Sequence, residues 1–310
     1  MSVLSPAQKR VMEELMPIAQ IAVDGTRDGM SLLPRTHSLI LGPSGSGKTF
    51  IAKKIAEGLP LLTINVATWI LLSNKAEPTT WTSIVDWLGA LPSGGVILLD
   101  EIDKLSAGGS GAFAHEYTNF LRLEVHDLLD GSIPISVKMP PKPDFYGTSI
   151  PWETQLLPWD RDDLGRFLRE RIMVIGCGAW QSAWRSNSRK LGFTAGAAPA
   201  PEPPSREQIL ASIDPELRQR FRDAVAILPP MTPEDFISVS KRLALQIPPE
   251  AREAWRQHMG AAIQTAIDGT LGMRVFEELL LTSLVLAKQQ KTKNPEKAGS
   301  RGLDTGGPPV

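Results

Sequence analysis

The feature that most constrains the fold of this chain is a glycine-rich octapeptide, GPSGSGKT, at residues 42–49. It follows a short apolar run, Ser38 to Leu41, and precedes a segment with helical character at residues 50–59. Glycines let a backbone wrap closely around an anion, and the N–H groups that open the following helix then face that anion. The pattern therefore predicts a strand, a phosphate-binding loop and a helix in succession.

The spacing Gly42-x-x-x-x-Gly47-Lys48-Thr49 assigns a role to each polar member of the loop. We expect the Lys48 ammonium to reach the β- and γ-phosphates of ATP and the Thr49 hydroxyl to ligate Mg²⁺. The predicted nucleotide-binding residues are Gly42, Pro43, Ser44, Gly45, Ser46, Gly47, Lys48, Thr49 and Phe50, with Asp100 and Arg274 from later in the chain.

A second apolar run, at residues 95–99, ends in two adjacent acids, Asp100 and Glu101. An uninterrupted apolar run is typical of a parallel strand that is buried on both faces. A carboxylate at the C-terminal end of such a strand is well placed beside the loop of a neighbouring strand. We expect Asp100 to hold Mg²⁺, directly or through water, and Glu101 to activate the attacking water. Taken alone, the pair would be interpreted as a solvated acidic turn, but its position about fifty residues after the glycine loop favours the functional role.

Strand and helix patterns alternate up to about residue 229, and the pattern from Thr232 onward is wholly helical. This order predicts an α/β fold with a parallel P-loop NTPase sheet, followed by a small C-terminal helical lid. The predicted boundaries are a nucleotide-binding domain at residues 1–229, a lid at 230–292 and a disordered tail at 293–310. The stretches at 134–158 and 194–204 read as an irregular insertion and a surface loop.

Composition narrows the function classes. The 33 basic and 34 acidic side chains give a net charge of −1, which does not favour wholesale binding to nucleic acid. The single cysteine, Cys177, excludes an intramolecular disulfide and a cysteine-based zinc site. We expect no membrane span, because no apolar run approaches 18 residues. The start of the sequence lacks a signal-peptide pattern, so we expect a cytoplasmic protein.

Taken together, these motifs resemble the AAA+ ATPases, and within them the ClpX/HslU unfoldase group, over roughly residues 36–285. The segments that carry the resemblance, in order along the chain, are the acidic DEIDK, FLRLEVHDLLDG (120–131), IGCGAW (175–180), RKLGFTA (189–195), IDPELRQRF (213–221) and LGMR (271–274). No one of them is specific, but six in order are.

The resemblance implies two further catalytic residues besides Lys48 and Glu101. Arg220 matches the arginine finger, which reaches the γ-phosphate of a neighbouring subunit and so implies a ring, most commonly a hexamer. Its register leaves Arg218 as the second choice. Arg274 matches sensor 2, which couples the nucleotide state to the lid; otherwise it would pair with Glu277 or Glu278 on its own helix.

The chain departs from the group's pattern at two places. The sensor 1 position holds Cys177, a weak donor and acceptor that could equally be a structural core residue. The segment at 67–81 has no aromatic–hydrophobic–Gly pore loop. Trp69 or Trp81 could serve as a gripping aromatic instead, but we expect both to pack in the core. No cysteine precedes residue 177, so we expect no counterpart of the group's N-terminal zinc-binding domain in this sequence.

The resulting expectation is a Mg²⁺-dependent AAA+ ATPase that remodels or disassembles a protein partner, with limited or no threading of the polypeptide. Two alternatives stay open. One is a DNA-associated loader or regulator, for which the local basic clusters would have to line a ring. The other is an assembly scaffold that binds ATP and turns it over slowly.

Overall fold

In a computed structural model of the chain, the structure describes residues 4–72, 79–105, 112–137, 160–185, 204–222, 225–269 and 272–293. The chain folds into two compact units. The sheet unit comprises Ala7–Pro43 and Gly47–Pro229, and the helical unit comprises Met1–Pro6, Ser44–Ser46 and Pro230–Val310. The predicted tail beyond Lys293, the RKLGFTA segment and most of the two predicted loops lie outside the described residues.

A five-stranded parallel sheet forms the centre of the sheet unit, as an α/β P-loop fold requires. The strands are β1 (Ser38–Leu41), β2 (Leu61–Asn65), β3 (Gly95–Asp100), β4 (Ile172–Gly178) and β5 (Ala226–Ile227). β1 and β4 are buried along their whole length, because helices cover both faces of the sheet.

The order of the strands in the sheet is β2-β3-β4-β1-β5, so β4 separates β1 from β3. We expected the strand that ends in the two acids to be adjacent to the strand that leads into the glycine loop. That expectation is wrong, because β4 lies between them.

Helices connect these strands. They are α1 (Pro6–Val23), α2 (Lys48–Ile55), α3 (Val66–Leu72), α4 (Thr79–Gly89), α5 (Ala112–Asp130), α6 (Arg161–Arg171), α7 (Gln181–Arg185), α8 (Arg206–Ala211) and α9 (Pro215–Arg220). Apolar residues recur at intervals of three and four along residues 6–23 of the sequence, which predicts an amphipathic helix, and α1 has these bounds. The bounds predicted for α2, 50–59, are wrong at both ends. The helix opens directly after Gly47, which adopts a φ of 86°, and ends before Gly58, whose φ is 85°.

The core of the sheet unit includes both tryptophans of the segment that lacks a pore loop. Trp69 on α3 and Trp81 on α4 are 1% and 0% exposed, and their rings meet edge to face with centroids 6.5 Å apart. The Trp69 indole N–H donates to the Glu124 carboxylate at 2.8 Å. The prediction that these side chains pack in the core is confirmed.

The described part of the helical unit contains the α-helices α10 (Pro233–Gln246), α11 (Arg252–Gly269) and α12 (Arg274–Lys293). Thr232 caps α10 as predicted, in a reciprocal capping box with Asp235. Trp255 stacks on Phe276 at the centre, with ring centroids 6.1 Å apart. Among the described residues of the chain, no helix is both long enough and apolar enough to cross a bilayer.

Candidate nucleotide-binding site

The glycine-rich loop leads from the end of β1 into α2. Gly45 and Gly47 have φ values of 79° and 86°, a left-handed conformation that glycine adopts without steric cost. Gly47 is the N-cap of α2 and supplies no side-chain cap, so the first N–H groups of this helix stay available for an anion. Gly42 and Ser46 are buried, whereas Ser44 is exposed and Pro43 partly so. Phe50, on the first turn of α2, is 43% exposed.

The Lys48 side chain curls back over this loop. Its ammonium donates to the carbonyl oxygens of Gly42 and Pro43, both at 2.9 Å. An ammonium that is held across the loop by backbone carbonyls lies where a phosphate chain cradled by the same loop would meet it. The position agrees with the role that the sequence predicts for Lys48.

Thr49 and Asp100 meet although 51 residues separate them in the sequence. The Thr49 hydroxyl lies 3.1 Å from Asp100 Oδ1 and 3.0 Å from Oδ2, which brings three oxygen atoms together. Thr49 belongs to the first turn of α2, and Asp100 is the last residue of β3. Hydroxyl and carboxylate oxygens are the ligands that Mg²⁺ prefers, and this ion usually takes few protein ligands besides phosphate and water.

The donor set fits such a phosphate-bridged ion better than a metal site built from protein alone. No cluster of three or more His, Cys, Asp and Glu side chains suited to a metal occurs among the described residues. Thr49 and Asp100 would supply the protein's share of the coordination, and the rest would come from nucleotide and water.

Glu101 directly follows this pair and has an unusual backbone. Its φ of 59° is one of two positive values at non-glycine residues in the described part of the chain. The conformation costs on the order of 1–3 kcal/mol at such a residue. The Glu101 N–H donates to Asp100 Oδ1 at 3.0 Å, and its side chain is exposed. The turn thus fixes Asp100 and leaves the Glu101 carboxylate in solvent.

Cys177 lies in the sheet between the two halves of the site. In the strand register it pairs with Ile40 on one side and with Asp100 on the other. Burial, reinforced by the Asp100 carboxylate and opposed by Lys48, raises the pKa of the Cys177 thiol. The thiol therefore stays protonated at neutral pH and is neither a nucleophile nor a charged sensor.

Arg220 ends α9 in the sheet unit and is held by two acceptors. Its Nε donates to Asp130 Oδ2 and its Nη1 to the Glu216 carbonyl, both at 2.9 Å. The side chain remains 27% exposed. Arg218 has no ion pair among the described residues. Arg218 and Arg220 are therefore not equivalent solvated charges.

Arg274 opens α12 in the helical unit and is exposed. The described residues show no ion pair between it and Glu277 or Glu278, so the local alternative finds no support. Within the same unit, the N–H of the preceding Met273 donates to the Gly45 carbonyl at 3.1 Å. A Cβ at Gly272 would lie 2.2 Å from that same carbonyl oxygen. The predicted sensor 2 residue thus directly follows a segment that touches the tip of the glycine loop.

Gln8 is a neighbour of this loop that was not predicted from the sequence. Gln8 lies on α1, is 1% exposed, and its Nε2 would be 2.5 Å from a Cβ placed on Gly47. The available signal was a polar residue in the apolar stripe that also holds Val11 and Leu15. A Cβ at Gly47 would have to displace the end of the Gln8 side chain, and the φ of 86° independently disfavours any other residue at that position.

Comparison with known families agrees with this geometry. The sequence model described as "ATPase family associated with various cellular activities (AAA)" matches residues 38–132. The matched region contains the glycine loop, Asp100, Glu101 and helix α5. It supports an AAA+ ATPase, a class of nucleotide-binding proteins. No curated protein matches the chain.

Proposed function

We propose that this protein is a Mg²⁺-dependent AAA+ ATPase that works as a homo-oligomeric ring and remodels or disassembles a protein partner. The contact between the Thr49 hydroxyl and both Asp100 carboxylate oxygens, at 3.0–3.1 Å, carries the proposal. It joins a phosphate-binding loop to a metal-ligating carboxylate across a sheet, and Glu101 follows at once.

The residues divide the chemistry among themselves. Bound Mg²⁺ would supply charge neutralisation on the phosphate oxygens. Lys48 exchanges its two backbone carbonyl acceptors for phosphate oxygens, at little reorganisation cost because its ammonium is already held over the loop. The Glu101 carboxylate, exposed beside Asp100, accepts the proton of the attacking water. Thr49 and Asp100 keep their oxygens together for the metal.

A ring arrangement is supported by the position of Arg220. Its guanidinium is exposed enough to reach another molecule and is oriented by two hydrogen bonds. The resemblance to AAA+ proteins implies that such an arginine completes the site of a neighbouring subunit, in a ring that is most commonly a hexamer. An arginine that acts between subunits requires assembly for activity.

Remodelling, and not processive threading, is favoured by the burial of both candidate gripping aromatics. Trp69 and Trp81 hold the core of the sheet unit together and offer no surface to a polypeptide. The resemblance to the ClpX/HslU group supports a protein partner. A scaffold with slow turnover is the second candidate, because the protonated Cys177 thiol is a weak polar group at the sensor 1 position.

The test is mass photometry of the Glu101→Gln protein with and without Mg²⁺ and ATP. Glu101→Gln retains the binding residues and should stall hydrolysis, so ring assembly should persist. We expect a nucleotide-dependent species of about six subunits, consistent with the closed symmetry of most oligomers. Lys48→Ala is the matched control and should stay smaller under the same conditions. A monomer at every nucleotide concentration would refute the ring.

A partner is sought by co-purification with the stalled Glu101→Gln ring. The proposal expects a specific protein that is retained with ATP and released without it. Stimulation of ATP turnover by DNA, and by no protein, would favour the DNA-associated alternative.

A further inference from the structure

Helix α9, which carries Arg220, is too short to hold its own position. It has six residues, whereas an isolated helix needs about 12–15 to be even marginally stable in water. Its contacts with helix α5 therefore determine where Arg220 points. Leu217, 1% exposed, supplies the apolar part of these contacts.

Two ion pairs join α9 to α5, one at each end of α9. At the start, Arg122 Nη1 lies 3.0 Å from Asp214 Oδ2, and Asp214 is also the N-cap of α9. At the end, Arg220 Nε lies 2.9 Å from Asp130 Oδ2. We call these two pairs the α5–α9 clasp.

The two clasp residues of α5 lie on the same face of that helix. Arg122, His126 and Asp130 follow one another at intervals of four residues, so they lie along a single face. His126 between them is 5% exposed, and its pKa is lowered by burial and by the nearby Arg220. A neutral imidazole there adds no repulsion against Arg220.

Asp130 stands where a carboxylate is unfavourable for its own helix. It is the last residue of α5, and the C-terminal end of a helix carries partial negative charge. Arg220 offsets this cost, and its positive charge also suits the C-terminal end of α9. The charges are thus placed for the contact between the helices.

Hydrogen bonds hold two of the three guanidinium nitrogens of Arg220 in place. Nε is bound to Asp130 and Nη1 to the Glu216 carbonyl. Nη2 has no hydrogen-bond partner within the part of the chain that the structure describes. A planar guanidinium held by two of its nitrogens is pre-oriented, so little side-chain freedom is lost when the third binds an anion.

Arg122 also contacts the segment that follows Glu101. Its Nη2 donates to the carbonyl of Leu105 at 3.3 Å, the last residue of the 3₁₀ helix Ile102–Leu105. The Arg122 guanidinium thus contacts both the segment that follows Glu101 and Asp214, the N-cap of α9. It links the clasp to the 3₁₀ helix that follows β3.

We propose that Asp130 and Arg122 are positioning residues that present Arg220 to the ATP site of a neighbouring subunit. The proposal rests on the ring and the arginine role given above under the proposed function. Among the described residues, their polar contacts are with α9 and with Leu105, and not with the glycine loop or Asp100. Each acts through Arg220.

The experiment uses Asp130→Ala in the full-length chain. Misplacing a group that stabilises a transition state costs about 10-fold to 100-fold in rate, so we expect kcat to fall by about tenfold. KM for ATP should stay unchanged, because the loop that binds nucleotide belongs to the other side of the junction. Asp163→Ala, which removes a comparably exposed aspartate that pairs with Arg166, is the matched control and should keep full activity.

Mixing experiments separate presentation of Arg220 from damage to the subunit's own site. Glu101→Gln subunits carry an intact Arg220, so mixing them with Asp130→Ala should restore turnover at the Asp130→Ala sites. Arg220→Ala subunits have no arginine to give, and mixing them with Asp130→Ala should restore nothing. Arg122→Gln, tested in the same way, should behave like Asp130→Ala.

Three results would overturn the proposal. The first is full activity of Asp130→Ala alone. The second is recovery in the mixture of Asp130→Ala with Arg220→Ala, and the third is a lack of recovery in both mixtures that contain Asp130→Ala. A mixture of Arg220→Ala with Glu101→Gln is the reference. If this reference mixture recovers activity while the Asp130→Ala pattern fails, the ring stands and the clasp is refuted. If the reference mixture does not recover, the junction arrangement fails, and the clasp proposal fails with it.

Discussion

The stability of the sheet unit should fall with acid because of one buried histidine. His37 immediately precedes β1. Its Nδ1 accepts from the Val174 N–H at 3.0 Å, so Nε2 carries the proton and donates to the Leu129 carbonyl at 3.2 Å. Protonation of Nδ1 would point a ring N–H at the Val174 N–H, and the hydrogen bond between them would be lost. Burial, with a contribution from Arg27, lowers the pKa of His37 from 6.5 to about 4.

The sign and size of the effect follow from proton linkage. Above the ordinary pKa of 6.5 the histidine is neutral in both states and contributes nothing to the pH dependence. As the pH falls, the unfolded state binds a proton that the folded state refuses, so stability is lost until the pH reaches about 4. The full loss is about 3 kcal/mol, of which about 2 kcal/mol has occurred by about pH 5.

The assay is urea unfolding of the wild type and of His37→Gln at about pH 7.5 and about pH 5, followed by tryptophan fluorescence. The variant does not titrate at this position, while all other groups titrate in both proteins and cancel in the comparison. The difference in unfolding free energy between wild type and variant should shrink by about 2 kcal/mol at the lower pH. A difference that stays constant within about 0.5 kcal/mol would refute the reasoning, given the usual size of mutational effects.

Three further substitutions test other contacts. Asp100→Asn removes the charge beside the loop, so the Mg²⁺ concentration for half-maximal phosphate release should rise by about tenfold or more, and an unchanged Mg²⁺ dependence would remove Asp100 from the metal site. Gly272→Ala places a Cβ at a φ of 57° and 2.2 Å from the Gly45 carbonyl oxygen; it should lower the melting temperature and weaken ATP binding in a titration, and wild-type values for both would contradict the contact. Trp69→Phe removes the donor to Glu124 and should cost about 1–2 kcal/mol in urea unfolding, whereas an unchanged midpoint would show the bond to be dispensable.

Local patterns were sufficient to predict most elements of the fold. Helix α1 shows a regular apolar stripe, and the Thr232 cap of α10 is a short-range signal, so both could be predicted from neighbouring residues. Helix α3 was missed, because six of its seven residues, VATWILL, are apolar and the short run shows no helical period.

The candidate site was predictable where it is local and unpredictable where it depends on topology. The octapeptide defines its own loop. The sequence does not show that β4 lies between β1 and β3, nor that Cys177 thereby comes beside Asp100. The ion pair between Asp130 and Arg220, 90 residues apart, and the positive φ of Glu101 likewise depend on tertiary packing.

We propose above that Glu101 activates water for hydrolysis of an ATP molecule that is held by the loop and by Asp100. The most direct test of this proposal is to measure Mg²⁺–ATP binding by calorimetry and phosphate release in parallel for Glu101→Gln. Asp103→Asn, which neutralises the nearby acid in the following 3₁₀ helix, is the control and should match wild type. We expect Glu101→Gln to bind Mg²⁺–ATP with wild-type affinity. Its phosphate release should be slower than that of the wild type by about 100-fold or more, which is the scale of general base catalysis. Turnover at the wild-type rate in Glu101→Gln would contradict the account.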